Sequence, residues 1–246
     1  MKRRRGDYGF DAPYVPIGLA MAAVVAFGFA GILYADSLRW PASISLVVCI
    51  VFALSGLSYV WTTRWGKFLV WDELLNELRL RGNEHLLDVG CGRGAVLMLA
   101  AERLPAGRAV GVDLWSATDQ SGNSERTTLR NAELEGVQDR IELHTADMRR
   151  LPFPNGSFDV VTSSLAIHNI GNAEGREQAL REILRVLKAD GTVMIADFRH
   201  TGDYQRYFSA EPGTKVERER LDWRFWYGGP HAATTLVKVR RSRPNP

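Results

Sequence analysis

The segment Leu86-Leu87-Asp88-Val89-Gly90-Cys91-Gly92-Arg93-Gly94-Ala95 joins a short apolar run to a helix-forming one through a turn with three glycines. Such a turn bends tightly and brings the free N–H groups of a helix N-terminus close to a ligand. Two ligand classes fit the spacing. Gly90, Gly92 and Ala95 satisfy the fingerprint for a dinucleotide pyrophosphate, whose last glycine is sometimes alanine. Gly90, Gly92 and Gly94 equally suit a cationic nucleoside. Asp113, ending the next apolar run, serves both, because both use an acid there to accept from ribose hydroxyls. Asp88 favours the second class: it sets a carboxylate where a dinucleotide brings phosphate, and where an ammonium and a sulfonium are welcome.

The elements that must hold these residues alternate. Strands are expected over His85–Val89, Ala109–Asp113, Ile141–Thr145, Phe158–Ser163 and Thr192–Asp197. Helices are expected over Ala95–Leu104, Ser124–Glu135 and Gly175–Leu187. This rhythm produces a parallel sheet covered on both faces. After Asp197 it breaks, and Arg224–Tyr227 and Thr234–Val239 read as a hairpin closing the sheet, with residues 240–246 as a loose basic tail.

Further signals follow in order: Ala146-Asp147-Met148 after the third strand, Phe158-Asp159-Val160-Val161, and Leu184-Arg185-Val186-Leu187-Lys188-Ala189-Asp190-Gly191-Thr192. With the glycine turn, these residues make Leu86–Asp197 resemble the class I S-adenosylmethionine (SAM)-dependent methyltransferases, of the methyltransferase-11-like and quinone- or lipid-methyltransferase-like kind. The resemblance implies an α/β, Rossmann-like seven-stranded sheet with an antiparallel last strand, and SAM as cofactor. It places Asp88, Gly90, Cys91, Gly92 and Gly94 along the methionine part of the cofactor and Asp113 at the ribose. Leu114 touches the adenine, Ala146, Asp147 and Met148 form its far wall, and Ser163 and Ser164 close the floor. Residues 114–123 depart from the family pattern as a polar insertion. It is either a solvated loop or a flap with Trp115 and Gln120 inside.

Methyl transfer is an in-line displacement, so alignment dominates and a base is needed only where the acceptor must lose a proton. His168, after the fourth strand, stands where an acceptor arrives beyond the strand ends and is a candidate base; it could equally be structural. Asp197 is the second catalytic candidate, with His200 close behind. Trp223, Phe225, Trp226 and Tyr227, with His231, either wall an apolar acceptor pocket or belong to the core.

The first third of the chain has a different character. Val15–Ala35 and Pro41–Thr63 carry no charge. At ~1.5 Å per residue the first run spans about 31 Å as a helix, matching a ~30 Å hydrocarbon core. Tyr14, Tyr34, Trp40, Tyr59 and Trp61 fall near the run ends, where amphipathic rings favour the membrane interface. Lys2, Arg3, Arg4, Arg5, Arg64 and Lys67 flank the pair, against Arg39 alone in the link, which puts the N-terminus and the following domain in the cytoplasm. A cleaved signal peptide is the alternative for the first run, but no convincing cleavage site follows it. The expected organisation is a basic tail with two transmembrane helices over 1–63, then a methyltransferase domain over 64–246, opened by an amphipathic helix from Phe68 to near Gly82.

Composition hides this division. The 246 residues are 46% hydrophobic and 24% charged with a net charge of +3, average for a soluble domain and too weakly basic for nucleic acid. Cys49 and Cys91 supply neither a disulfide framework nor metal-ligand spacing. The expected function is methylation of a small lipophilic acceptor (a quinone-like phenol, an isoprenoid or a phospholipid headgroup). The other readings are a soluble or protein acceptor, a SAM-binding module without turnover, and a nicotinamide-dependent oxidoreductase.

Overall fold

The computed structural model describes residues 4–116 and 120–242. Lys2, Arg3 and residues 243–246 of the expected basic segments, and residues 117–119 of the insertion, lie outside the described residues.

Two apolar helices, α1 (Tyr14–Ala35) and α2 (Arg39–Trp61), form an antiparallel hairpin. Each is long and apolar enough to cross a membrane, with an 18-residue window of mean hydropathy 2.2. They pack on each other and meet the rest of the chain at their foot, where Ser58 and Tyr59 contact Trp226, Tyr227 and Asp11. Met21, Val24, Phe27, Ile50, Leu54 and Leu57 stand exposed along them. A helix of a soluble core buries such side chains, each worth roughly 1.5–3 kcal/mol. The sequence leaves open whether these helices enter a core; the structure joins them to it at the foot, through Tyr59 and Val15, and leaves most of their length outside it.

The chain does not break after α2. A five-residue π-helical turn, Thr62–Gly66, leads directly into α3 (Lys67–Glu77), which buries Phe68, Val70, Trp71, Leu74 and Leu75 against the α/β domain. Gly66 is needed there, because a Cβ on it would lie 1.8 Å from the Arg224 carbonyl oxygen. The helix stops at Glu77, short of the expected Gly82, with Leu78–Arg79 as a turn and Arg79 in the left-handed region.

The domain is a seven-stranded sheet in the order β3-β2-β1-β4-β5-β7-β6. Its strands are β1 (His85–Val89), β2 (Arg108–Asp113), β3 (Ile141–Thr145), β4 (Phe158–Ser164), β5 (Leu187–Asp197), β6 (Thr214–Arg220) and β7 (Thr235–Arg241). Helices α4 (Ala95–Glu102), α5 (Glu125–Glu135) and α6 (Ala173–Val186) follow β1, β2 and β4, and α7 (Thr201–Ala210) follows β5. The first five strands are parallel, and β7 is antiparallel to both β5 and β6. Two apolar clusters fill the core, one gathering the α3 and α4 side chains and one those of α6 and α7.

Two expectations at the C-terminal end are corrected, and one further helix appears. The partner of β7 is β6, not Arg224–Tyr227; residues 223–225 form a 3-10 turn. β6 reads Thr-Lys-Val-Glu-Arg-Glu-Arg and is mostly exposed, so at the sheet edge its place is set by main-chain pairing and no apolar alternation marks it. Arg240 and Arg241 end β7 and are not part of a loose tail; Arg241 donates to the carbonyls of Leu184 and Leu187. The further helix is α7, amphipathic and buried through Tyr204 and Phe208, for which the sequence carries no expectation.

Candidate active site

A cavity of about 400 Å³ opens at the C-terminal ends of β1, β2 and β4. Strand order reverses between β1 and β4, and open α/β sheets bind ligands at such a switch point. The Gly90 amide donates to the Val112 carbonyl at 2.8 Å with φ of 73°. A Cβ there would meet that of Ala166 at 2.2 Å, so the turn and the β4 loop approach only because residue 90 is glycine.

Asp113 ends β2 with both oxygens engaged. Oδ2 accepts from the Gly92 amide (2.8 Å), and Oδ1 from the Trp115 amide (2.6 Å) and Asn123 Nδ2 (3.1 Å). Asp88 is 1% exposed and accepts from the Thr162 hydroxyl at 2.9 Å. Burial pushes its carboxyl up to about 7, with the nearby charge of Asp113 adding to the effect. Burial likewise pushes the Cys91 thiol far up, which fits a small residue in a tight turn and not a nucleophile. Asp147 is held below the usual carboxylate range, chiefly by hydrogen bonds from Arg149.

Ten of the expected cofactor residues line this cavity: Asp88, Gly90, Cys91, Gly92, Asp113, Leu114, Ala146, Asp147, Met148 and Ser164. Gly94 does not; it caps α4 in the left-handed conformation. Ser163 is also elsewhere, wholly buried and donating to the Val89 carbonyl, because neighbours on a strand point to opposite faces. The same alternation puts Thr162 with Ser164 on the cavity side, a signal available in the sequence.

His168 and Asp197 stand together beside the wall, not on it. His168 Nδ1 is 2.8 Å from Asp197 Oδ1, and the ring meets Phe198 edge-on at 4.6 Å. Asp197 is fully buried and also accepts from the amides of His168 and Phe198. In the insertion, Gln120 lines the cavity, its Oε1 accepting from the Arg93 amide, while Trp115 turns to Thr145 and stays off the wall. Of the aromatic group, Phe225 and Tyr227 are buried in the core, Trp223 is 59% exposed, and none lines the cavity.

The sequence reading missed Asp11, Lys67, Trp71, Asn169 and Asn172 on the wall. Asp11 belongs to an N-terminal arm, Arg4–Pro13, that lies against the domain although the sequence grouped it with the apolar helices. Arg4 pairs with Glu102, Asp7 with Arg93, and Tyr8 donates to Glu135. The Asp11 carboxylate accepts from Lys67 Nζ (2.8 and 3.0 Å), Gln120 Nε2 (3.0 Å) and the Tyr227 hydroxyl (2.8 Å). It thus joins the arm, the foot of the hairpin, the insertion and the C-terminal loop.

The charges on the wall select among ligands. Asp11 is paired with Lys67 and Asp147 with Arg149, which leaves Asp88 and Asp113 without a cation among the described residues of the wall. Asp113 suits the ribose of either ligand class, but Asp88 in the glycine turn suits a ligand carrying ammonium and sulfonium charges and disfavours a pyrophosphate. Fold and site together define a class I methyltransferase-type nucleotide domain.

Comparison with known proteins agrees. Residues 87–195 match the family described as Methyltransferase domain. The chain is 34% identical over 135 residues to the ubiquinone/menaquinone biosynthesis C-methyltransferase UbiE of Citrifermentans bemidjiense, covering 54% of this chain and 52% of that protein. It is 29% identical over 133 residues to the sterol 4-C-methyltransferase strm-1 of Caenorhabditis elegans, covering 54% and 36%. The chain therefore spans about half or less of these relatives. A SAM-dependent methyltransferase from Aquifex aeolicus shares the fold with a TM-score of 0.55 at 15% identity, over 70% of this chain and 89% of that one. Residues 87–195 therefore match a methyltransferase domain, and S-adenosylmethionine is the cofactor that the site suits.

Proposed function

We propose that this protein is a membrane-anchored methyltransferase that transfers the methyl group of SAM to a small lipophilic acceptor. One observation carries the reading: Asp11 and Lys67, on the cavity wall, are also the residues that close the foot of the apolar hairpin. The arm before α1 and the turn after α2 meet there, so both outer ends of the hairpin lie on one side, as a two-span anchor requires. The basic flanks make that side cytoplasmic. Two relatives whose names specify quinone and sterol substrates support a lipophilic acceptor.

In this reading SAM supplies an electrophilic methyl on a sulfonium. The Asp88 carboxylate holds the ammonium end, Asp113 accepts from the ribose, and Leu114, Ala146 and Met148 enclose the adenine. Asp147, engaged by Arg149, receives the adenine amino group on its remaining capacity. His168, its Nδ1 2.8 Å from Asp197 Oδ1, is the base where the acceptor must lose a proton. His168→Ala should lower turnover by about 10²-fold or more with SAM affinity unchanged, and equal turnover removes the base assignment.

The deciding experiment adds radiolabelled SAM and purified full-length protein to a total membrane lipid extract and, in parallel, to a soluble extract. Label is expected in the lipid extract. Label only in the soluble extract overturns the lipophilic acceptor, and label in neither, with SAM still bound, favours a module without turnover.

A further inference from the structure

Three tryptophans from distant parts of the chain meet at the foot of the hairpin. Trp61 ends α2, Trp65 lies in the π-helical turn, and Trp223 opens the 3-10 turn between β6 and β7. The Trp61 ring stacks on Trp223 with centroids 6.1 Å apart and lies 5.5 Å from Trp65. The two segments are locked together. Ser58 and Thr62 both donate to the Trp226 carbonyl, and Gly66 packs against that of Arg224. Yet Trp65 and Trp223 remain 50% and 59% exposed. Neither belongs to a core cluster, so folding does not explain them.

Their height along the hairpin does. Trp40, 78% exposed, begins the apolar stretch of α2 that Trp61 ends. At ~1.5 Å per residue the two are about 31 Å apart, one hydrocarbon thickness. Indole rings favour the boundary between acyl chains and headgroups. Arg64, exposed between Trp61 and Trp65, adds a cation at the level of lipid phosphates.

We propose that Trp65 and Trp223 enter the headgroup–acyl boundary of the bilayer, giving the methyltransferase domain a lipid contact of its own beside the anchor. The inference rests on the membrane reading above. Its consequence is orientation. Lys67, two residues beyond Trp65, reaches the cavity wall at Asp11, so the contact keeps that wall within one helical turn of the surface where a lipophilic acceptor resides.

The test uses the full chain with Cys49→Ser in vesicles of phosphatidylcholine and phosphatidylglycerol. Single cysteines replace Trp223, Trp65 or Phe29 and carry an environment-sensitive fluorophore, while buried Cys91 stays unlabelled. SAM binding reports that each variant is folded. Labels at 223 and 65 should lose about half or more of their emission to a nitroxide near the headgroups, and less to one at the chain ends. The label at 29 should show the opposite order. If 29 responds and neither 223 nor 65 does, the domain contact is overturned and the anchor stands. If 29 is unquenched as well, the membrane reading falls, and this inference with it.

Discussion

Replacing Asp88 with asparagine isolates the charge at the centre of the site. Burial, at 1% exposure, pushes its carboxyl up to about 7, against the hydrogen bond from the Thr162 hydroxyl. A bound ammonium favours the ionised form, so binding must drive the proton off. With a free-state value of about 7, the apparent affinity weakens by a factor of 1 + 10^(7−pH), about elevenfold at pH 6 and about 1.1-fold at pH 8. The difference is about tenfold, or about 1.4 kcal/mol. At pH 6.5 roughly three-quarters of a proton should leave per cofactor bound. That pH also lies below the range where an α-amino group, near 7.7–8.0, begins to lose its own charge.

Calorimetric titration of the detergent-purified full chain, in two buffers of different ionisation enthalpy, reads this release directly. In Asp88→Asn the release should vanish, affinity between pH 6 and 8 should flatten, and binding at pH 8 should weaken by about 1.5–3 kcal/mol for the lost charge-assisted bond. Stability should move the other way. A folded value raised above the unfolded one means that the empty protein loses stability as pH rises from about 4 to about 7. At pH 8 the cofactor-free variant should therefore be the more stable, by up to about 4 kcal/mol. Wild-type binding that is flat from pH 6 to 8 and releases no proton would refute the assignment of Asp88 to the ammonium.

Three further outcomes are expected. Asp113→Ala frees the amides of Gly92 and Trp115 and removes the ribose acceptor; SAM binding should weaken at least about tenfold, from a loss of roughly 1.5–3 kcal/mol per charged hydrogen bond, and unchanged affinity contradicts the site. Gly66→Ala drives a methyl group into the Arg224 carbonyl and should lower stability by about 1–3 kcal/mol, read as a fall in Tm, and an unaltered Tm counts against the tight junction. Asp11→Ala leaves Lys67 buried without its partner, at a cost of about 3–5 kcal/mol, and should loosen the arm and weaken SAM binding. Adding Lys67→Met should recover part of the stability, and a double variant as unstable as the sum of the singles denies the coupling.

What could be read from the chain alone were the features with a local physical cause. Charge-free runs of about twenty residues set α1 and α2 as long apolar helices, because nothing in them interrupts the helix or gives it a polar face. Short apolar runs set β1, β2 and β4, which are largely buried on both faces, and the glycines before α4 set the turn and the position of Asp113. Features whose cause is a distant partner stayed hidden. β6 carries almost no apolar residue, and only pairing with β7 makes it a strand. Ser163 and Ser164 look alike in sequence, and the pleat sends one into the sheet and the other to the cavity.

The N-terminal arm shows the limit most clearly. Arg4 and Arg5 read as topology signals, yet in the folded chain Arg4 binds Glu102, and the Arg5 amide donates to Glu135, 130 residues away. Asp11 looks like a stray charge before an apolar run, until tertiary structure surrounds it with Lys67, Gln120 and Tyr227. Periodicity and turn chemistry act over a few residues, so sequence determined the elements that carry the glycine turn and the class of ligand. Ion pairs and steric contacts between remote segments have no such periodicity, so only the tertiary structure decided that the wall of the cofactor cavity and the foot of the apolar hairpin are one place.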